Sequence, residues 1–500
     1  MPLLKQLNSL ETSGLIRLAA VQPELEYLFR HALVQDAAYS SLLKNDRRQL
    51  HQNVGEALER LYSQQLNEIA ATLALHFEKA EQRDKAVHYF RQAGDRASEG
   101  FANTEALAFY QSAIAQTELA LQQKNDDPAQ ARLAQLLESL ADVHERMGQH
   151  EAAREAYYRA LEIQAALLLP DNVMQARLYR KIGTAHMMQR HYEEASQAWA
   201  QAEQSLGDMS DPQPDAASNE WIDIQSDRVM YHYWKNEPLG MKSICDRLLP
   251  VVERIGTPLQ RANALYSYNL YLFRQQRYVV SDEVMAMVEG NIPVVEQTGK
   301  LTTIYDHHFT VGFFHFFRRE VGEAEKHLYL CLELAERMGD PVRISRAANY
   351  LMFAARVRGQ IEVTQSYFET VLSTTWAGPM ADYTFTVQSC QSWIAWRAGK
   401  LEEARTYGLA ARETILGPFQ HYPFQWVVYF PLLAVAVTEK QMTEAYEYTR
   451  RMLDPEQILL PDDLTDALET AVKGGVAGND EAAQQAFATA LTLATTYGYL

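Results

Sequence analysis

Asp306, His307, His308 and His315 are residue types that could ligate a metal or work on a phosphoester. Metal-binding pairs on a helix usually stand three or four residues apart, which puts both ligands on adjacent turns of one face. His308 and His315 are seven positions apart, no further Cys or carboxylate completes the set, and Phe309, Phe313 and Phe314 interleave. Packed or solvated histidines are therefore expected, and no metal. Cys245, Cys331 and Cys390 are odd in number and far apart. They form neither a disulfide framework nor a paired metal motif and read as small apolar fillers of helix packing. The chain has no GxxxxGK[ST] loop, whose glycines and lysine hold triphosphate charge. Nor does any Ser/His/Asp or Cys/His set stand where a strand–turn–helix would activate a nucleophile. The expectation is a non-enzyme with no cofactor.

The bulk properties narrow the partners. Lys plus Arg is 46 against 64 Asp plus Glu, a net charge of −18. So acidic a surface repels phosphate backbones, which argues against nucleic acid. The N-terminus, MPLLKQLNSLETSGLIRL, carries charges inside its apolar stretch and has no small-residue cleavage site, unlike a signal peptide. The longest apolar run, Trp426 to Val437, contains Pro431 and is too short to span a bilayer. It reads as a helix buried on all sides. A cytoplasmic protein with no membrane partner is expected.

The elements that would position any site come from self-similarity. QLLESLADVHERMGQHEAAREAYYRALE (135–162) lies over ARLYRKIGTAHMMQRHYEEASQAWAQAE (176–203). The pairs are Leu140–Ala141 with Ile182–Gly183, His144 with His186, His150 with Tyr192, Ala153 with Ala195, Tyr157 with Trp199, and Ala160 with Ala202. That is two amphipathic helices joined by a turn, with alanines where the helices cross and only small side chains fit. Further units have turns near Asn236, Gln276, Arg319, Gly359, Gly399, Lys440 and Gly478, with Ala324, Ala404, Ala445 and Ala483 after them. A tighter version precedes them, with Ala86 and Ala106 at its crossing. The period of about 40 residues marks a helical solenoid. Pro128, Pro170, Pro258, Pro341 and Pro455 fall between units, near helix starts. No strand is expected beyond the first thirty residues.

These units resemble tetratricopeptide repeats, from about residue 67 to the end, closely in the two quoted units and less so after Asp208. The longer period resembles the sensor domains of bacterial STAND-class signalling ATPases, the type associated with adenylate or guanylate cyclases. The segment ELEYLFRHALVQDAAYSSLLKNDRRQLHQNVGEALE looks like the end of that class's winged-helix module. The resemblance makes His31, in Arg30–His31–Ala32, a vestigial phosphate sensor, although Ala32 stands where many relatives have Asp. It implies an all-α, right-handed superhelical α-solenoid of two-helix repeats preceded by a small winged-helix remnant. The divisions expected are 1–63, 64–207 and 208–500. With no phosphate-binding loop and no cyclase segment, His31 has a role only if a nucleotide-binding domain encoded upstream supplies the nucleotide.

A solenoid offers its concave side, lined by the first helix of each unit, as a groove. Helical periodicity assigns to it Tyr233, Tyr266, Arg274, Phe313, Phe317, Arg356, Trp393, Trp396 and Arg397. Aromatics with arginines are favoured at binding hot spots, because rigid faces bind with little entropy loss and guanidinium forks grip carboxylates or phosphates. Aromatic stripes at helical spacing are core more often than not, because a tightly wound superhelix buries its axis, and core is the competing reading of the same rings. The expected function is a non-catalytic scaffold or sensor that takes a protein, a peptide or a small effector in the groove. The alternatives are the regulatory part of a split ATPase or cyclase, or of a transcriptional regulator.

Overall fold

The computed structural model describes residues 2–20, 26–372, 381–416 and 422–500. The chain divides into two compact units, Met1–Leu137 and Glu138–Leu500.

The first unit opens with α1 (Pro2–Thr12) and an antiparallel hairpin of β1 (Ile16–Ala20) and β2 (Glu26–Phe29), Ile16 pairing with Phe29. These are the only strands among the described residues. α2 (Ala32–Ser41) follows the hairpin directly, and α3 (Lys44–Leu61) comes next. Two-helix packing then begins with α4 (Ala70–Lys79), α5 (Arg83–Glu99) and α6 (Asn103–Gln123). Ala86 and Ala106 have no exposure. Gly94 is equally tight: a Cβ there would stand 2.7 Å from the Tyr110 ring.

The division falls within α7 (Asp127–Arg146), which pairs in sequence with α8 (His150–Ala166). Next come α9 (Asn172–Met188) with α10 (Tyr192–Leu206), α11 (Ala216–Trp234) with α12 (Pro238–Ile255), and α13 (Pro258–Gln275) with α14 (Asp282–Glu296). α15 (Leu301–Phe317) pairs with α16 (Val321–Met338), and α17 (Pro341–Val357) with the short α18 (Ile361–Ser366) and α19 (Phe368–Leu372). Last are α20 (Ala381–Arg397) with α21 (Leu401–Leu416), α22 (Trp426–Thr438) with α23 (Met442–Met452), and α24 (Asp462–Val476) with α25 (Asp480–Thr496). The second unit is thus a solenoid of two-helix repeats.

Small residues at the crossings explain the pairing. Ala153, Ala160, Ala195, Ala202, Ala324, Ala404, Ala445 and Ala483 all have zero exposure. The turns share one backbone solution, a residue in the left-handed region at the helix end. Asn236, Arg277, Arg319, Gly359, Gly399, Lys440 and Gly478 all have positive φ. The next residue's N–H returns to a carbonyl five positions back, as in Glu237 to His232 and Glu320 to His315. The ring of that histidine then seals the turn: His232 Nδ1 lies 2.7 Å from Glu237 Oε2, and His315 Nδ1 lies 2.6 Å from Glu320 Oε2. Pro258 and Pro341 are the first residues of their helices, and Thr257 and Gln260 form a reciprocal cap. Pro455, by contrast, stands beyond the end of α23.

The apolar run is indeed enclosed: every residue from Trp426 to Ala436, Pro431 included, is buried. No helix among the described residues is long and apolar enough to cross a membrane. The winding brings distant repeats together. Arg190, after α9, pairs with Asp382 at the start of α20 at 2.9 Å, 192 positions away. Leu459 N–H donates to the Arg277 carbonyl at 3.0 Å, and Arg277 Nε donates to the Gln457 carbonyl at 3.0 Å.

Candidate functional site

The first helices of successive repeats in the second unit enclose a cavity of about 1050 Å³, as large as a typical small-molecule site. α11 contributes Asp227, Met230, Tyr233 and Trp234; α13 contributes Asn263, Tyr266, Leu270 and Arg274. α15 adds Asp306, Phe309, Thr310 and Phe313, and α17 adds Val342, Arg343, Arg346, Asn349 and Tyr350. The spacing of three and four residues within each helix is the stripe that one helical face presents. Asp382, Tyr383, Tyr422 and Phe424 close it from the later repeats.

Its N-terminal end is a lattice of ion pairs. Lys181 reaches Glu138 at 2.8 Å and Asp142 at 2.7 Å, and Arg177 reaches Glu138 at 2.7 Å. Burial opposes ionisation of Glu138, but Arg177 and Lys181 outweigh it and bring the carboxyl down to about 2. Arg180 bridges Glu220 and Asp227 at 2.5 and 3.2 Å. Asp223 is pushed the other way, up to about 6, by burial and then by Glu220 and Asp227, despite Arg180.

The middle is different. Arg343 is held between Asp340 at 2.7 Å and Asp306 at 3.1 Å. Arg346, one turn on, is half-buried, and its guanidinium carbon lies 3.9 Å from the Phe309 ring centroid. Arg274 is covered by Tyr233 and Tyr278, 5.0 and 5.1 Å from their centroids, and donates to the Tyr233 carbonyl at 3.0 Å. Burial lowers the Arg274 pKa and pushes the Tyr233 phenol up to about 12.

Of the residues singled out from sequence, Tyr233, Tyr266, Arg274 and Phe313 line this cavity. Phe317 borders a second one of about 360 Å³ with Tyr278, Phe316, Trp426 and Tyr499. Arg356, Trp393, Trp396 and Arg397 line neither. Arg356 and Trp393 are 1% exposed; Arg356 lies between Trp393 and Trp426 and donates to the Tyr499 carbonyl at 3.2 Å. The C-terminal ends of the later first helices are roofed by α22 and the chain's last residues, so there the expected groove is core. Trp396 is half-buried against the cluster of Ala395, Ala404 and Val435, and Arg397 is exposed.

His31 is exposed at the N-cap of α2 and makes no capping hydrogen bond. The histidines of α15 are buried and internally bonded: His307 to Asn263 at 3.1 Å, and His308 to His327 at 2.9 Å. Among the described residues no three His, Cys, Asp or Glu side chains are grouped to hold a metal. All three cysteines are buried and free, and burial raises each thiol, Cys245 up to about 12. Such thiols are poor nucleophiles.

Sequence reasoning missed Arg343, Arg346, Tyr350 and Tyr383. A signal existed: Val342, Arg343, Arg346, Asn349 and Tyr350 form one stripe through the middle of α17, whereas Phe353 and Arg356 lie a turn too late.

A search of curated proteins finds no match. Among solved structures, a Rap protein complexed with competence and sporulation factor is similar, with 11% identity, a TM-score of 0.48, and coverage of 73% of this chain and 96% of that one. The apo form of the quorum sensor NprR from B. thuringiensis has 12% identity, a TM-score of 0.41, and coverage of 70% and 98%. A STAND protein with a tetratricopeptide repeat sensor from Pyrococcus horikoshii has 15% identity and a TM-score of 0.35; 89% of this chain is covered, and it spans 57% of that protein. Residues 132–206, reaching from α7 to the end of α10, match the family model described as tetratricopeptide repeat, and the helix pairs within that span are of that kind.

Proposed function

We propose that the second unit is a recognition scaffold that binds a short peptide or another small effector in its cavity. The observation that carries this is the lining. Aromatic rings and arginines project from consecutive first helices into one space of about 1050 Å³, where core packing would leave none. The repeats are tetratricopeptide-like, and scaffolds of stacked helix pairs present concave binding surfaces. A volume of about 1050 Å³ favours a small molecule or short peptide over a folded domain. A ligand touching several repeats at once stabilises one curvature of the stack, which is how binding would be signalled. The free, buried thiols fit a reducing compartment such as the cytoplasm. Amide hydrogen exchange tests the assignment: a bound ligand should slow exchange in α13, α15 and α17. Protection confined to the outer helices α14 and α16 would refute it.

A second reading concerns the first unit. The β1–β2 hairpin runs straight into α2 with His31 exposed at the junction, which supports a winged-helix remnant of a STAND-class ATPase. In that setting the repeats would be the sensor of an ATPase or cyclase whose nucleotide site lies in another segment. Binding of this chain to a separately expressed nucleotide-binding domain, lost in His31→Ala, tests it; indifference to that substitution argues against it.

A further inference from the structure

The cavity as a whole is balanced, with seven basic and seven acidic lining side chains among the described residues. Its centre is not. Arg343 is committed to Asp340 and Asp306, Arg190 to Asp382, and Lys181 to Glu138 and Asp142. Arg274 is sealed under two rings. Arg346 alone of the arginines on α17 that border the cavity has no carboxylate within ion-pair reach among the described residues, Asp306 acting on it only through space. Its flat face rests on Phe309, and it remains half-buried at the cavity wall.

Around that guanidinium stand the phenols of Tyr266, Tyr350 and Tyr383, all lining the same space. Burial pushes each of them up, so each is a neutral O–H donor at physiological pH. A cation with phenol donors beside it, in a partly desolvated cavity, is an arrangement for an anion. Asp306 and Asp382 line the same space but are already paired with Arg343 and Arg190, and Arg346 offers a single positive charge, so a second negative charge on the ligand would be desolvated without a counter-ion. Phe309, Phe313 and Phe424 form apolar walls next to it.

We infer that the centre of the cavity recognises one carboxylate on a small apolar body, a free organic acid or a short peptide, gripped by Arg346 and the hydroxyls of Tyr266, Tyr350 and Tyr383. The inference rests on the cavity being the recognition site.

The experiment is ligand-observed saturation-transfer NMR on the whole chain with N-acetylphenylalanine, its primary amide and phenyl phosphate. The acid should bind at least about tenfold more tightly than the amide, as a charge-assisted hydrogen bond implies, and more tightly than the dianionic phosphate. Arg346→Gln should erase the preference for the acid, weakening the acid at least about tenfold more than the amide, with melting curves to confirm that the variant is folded. Gly-Gly-Phe binding more tightly than N-acetylphenylalanine assigns the carboxylate to a peptide, and the reverse order assigns it to a free acid. Acid and amide binding alike, with both weakened by Tyr266→Ala, would overturn the carboxylate site and leave the cavity as a binding site. Probes that bind equally to wild type, Arg346→Gln and Tyr266→Ala, or bind to none, would remove both.

Discussion

The indole of Trp199 on α10 lies against the bare Cα of Gly183 on α9, where a Cβ would stand 2.6 Å from Nε1. That nitrogen donates to the Arg180 carbonyl at 3.2 Å, so the ring is pinned and cannot retreat. Gly183→Ala should therefore destabilise the protein by about 1–3 kcal/mol, the cost of overpacking a tight core. Gly290, inside α14 with nothing within 4 Å of an added Cβ, is the contrast. Gly290→Ala should be neutral or stabilising by up to about 1 kcal/mol. Urea unfolding of both variants checks the pair.

Arg356 is a structural cation, held between two tryptophans and a main-chain carbonyl. Arg356→Ala should cost about 2–4 kcal/mol, since it empties a large buried volume and loses a charged hydrogen bond. The affinity of cavity probes should not change. Thermal melts with a parallel binding titration separate the two effects.

The ion pair of Arg190 with Asp382 joins repeats at opposite ends of the cavity and is nearly buried on both sides. Asp382→Ala leaves Arg190 without this carboxylate, and a loss of about 3–5 kcal/mol is expected. Because the pair also closes the cavity, hydrogen exchange at the start of α20 should accelerate more than in α14.

Two groups give opposite pH dependence. His327 sits between His308 and His315, with ring centroids 5.1 and 5.9 Å apart, and burial followed by those two rings lowers its pKa to about 4. Between pH 6.5 and 4 the unfolded chain takes up a proton that the folded one refuses, so stability falls as pH falls. His327→Gln should remove that loss, about 1 kcal/mol once its partial exposure is discounted. Asp223, raised to about 6, is protonated in the folded state first, so its cost appears as pH rises through that range. Asp223→Asn should stabilise the protein at pH 7 more than at pH 4.5. Chemical unfolding at the two pH values reads both.

Much of the architecture was legible because it follows from residue size and helical period. Alanines recurring at the crossings, and turn residues such as Asn236 and Arg319, mark each unit. The enclosed helix around Pro431 was legible from composition alone. The site was legible only in part. Tyr233, Tyr266, Arg274 and Phe313 follow from the inward stripe, but Arg356 and Trp393 fall on the same stripe and are core. What separates them is the return of Tyr499 and α22 over those helix ends, a contact between residues 143 apart that no local period encodes. Pairings across repeats, such as Arg343 with Asp306, equally decide which arginine stays unpaired.

The most direct measurement is the affinity of a hexapeptide selected from a random library against the whole chain, compared between wild type and Tyr266→Ala/Tyr350→Ala, with melting curves to confirm that the variant is folded. The cavity account predicts a loss of at least about tenfold, since each ring is a wall of the site. Equal affinity in the two proteins would contradict it.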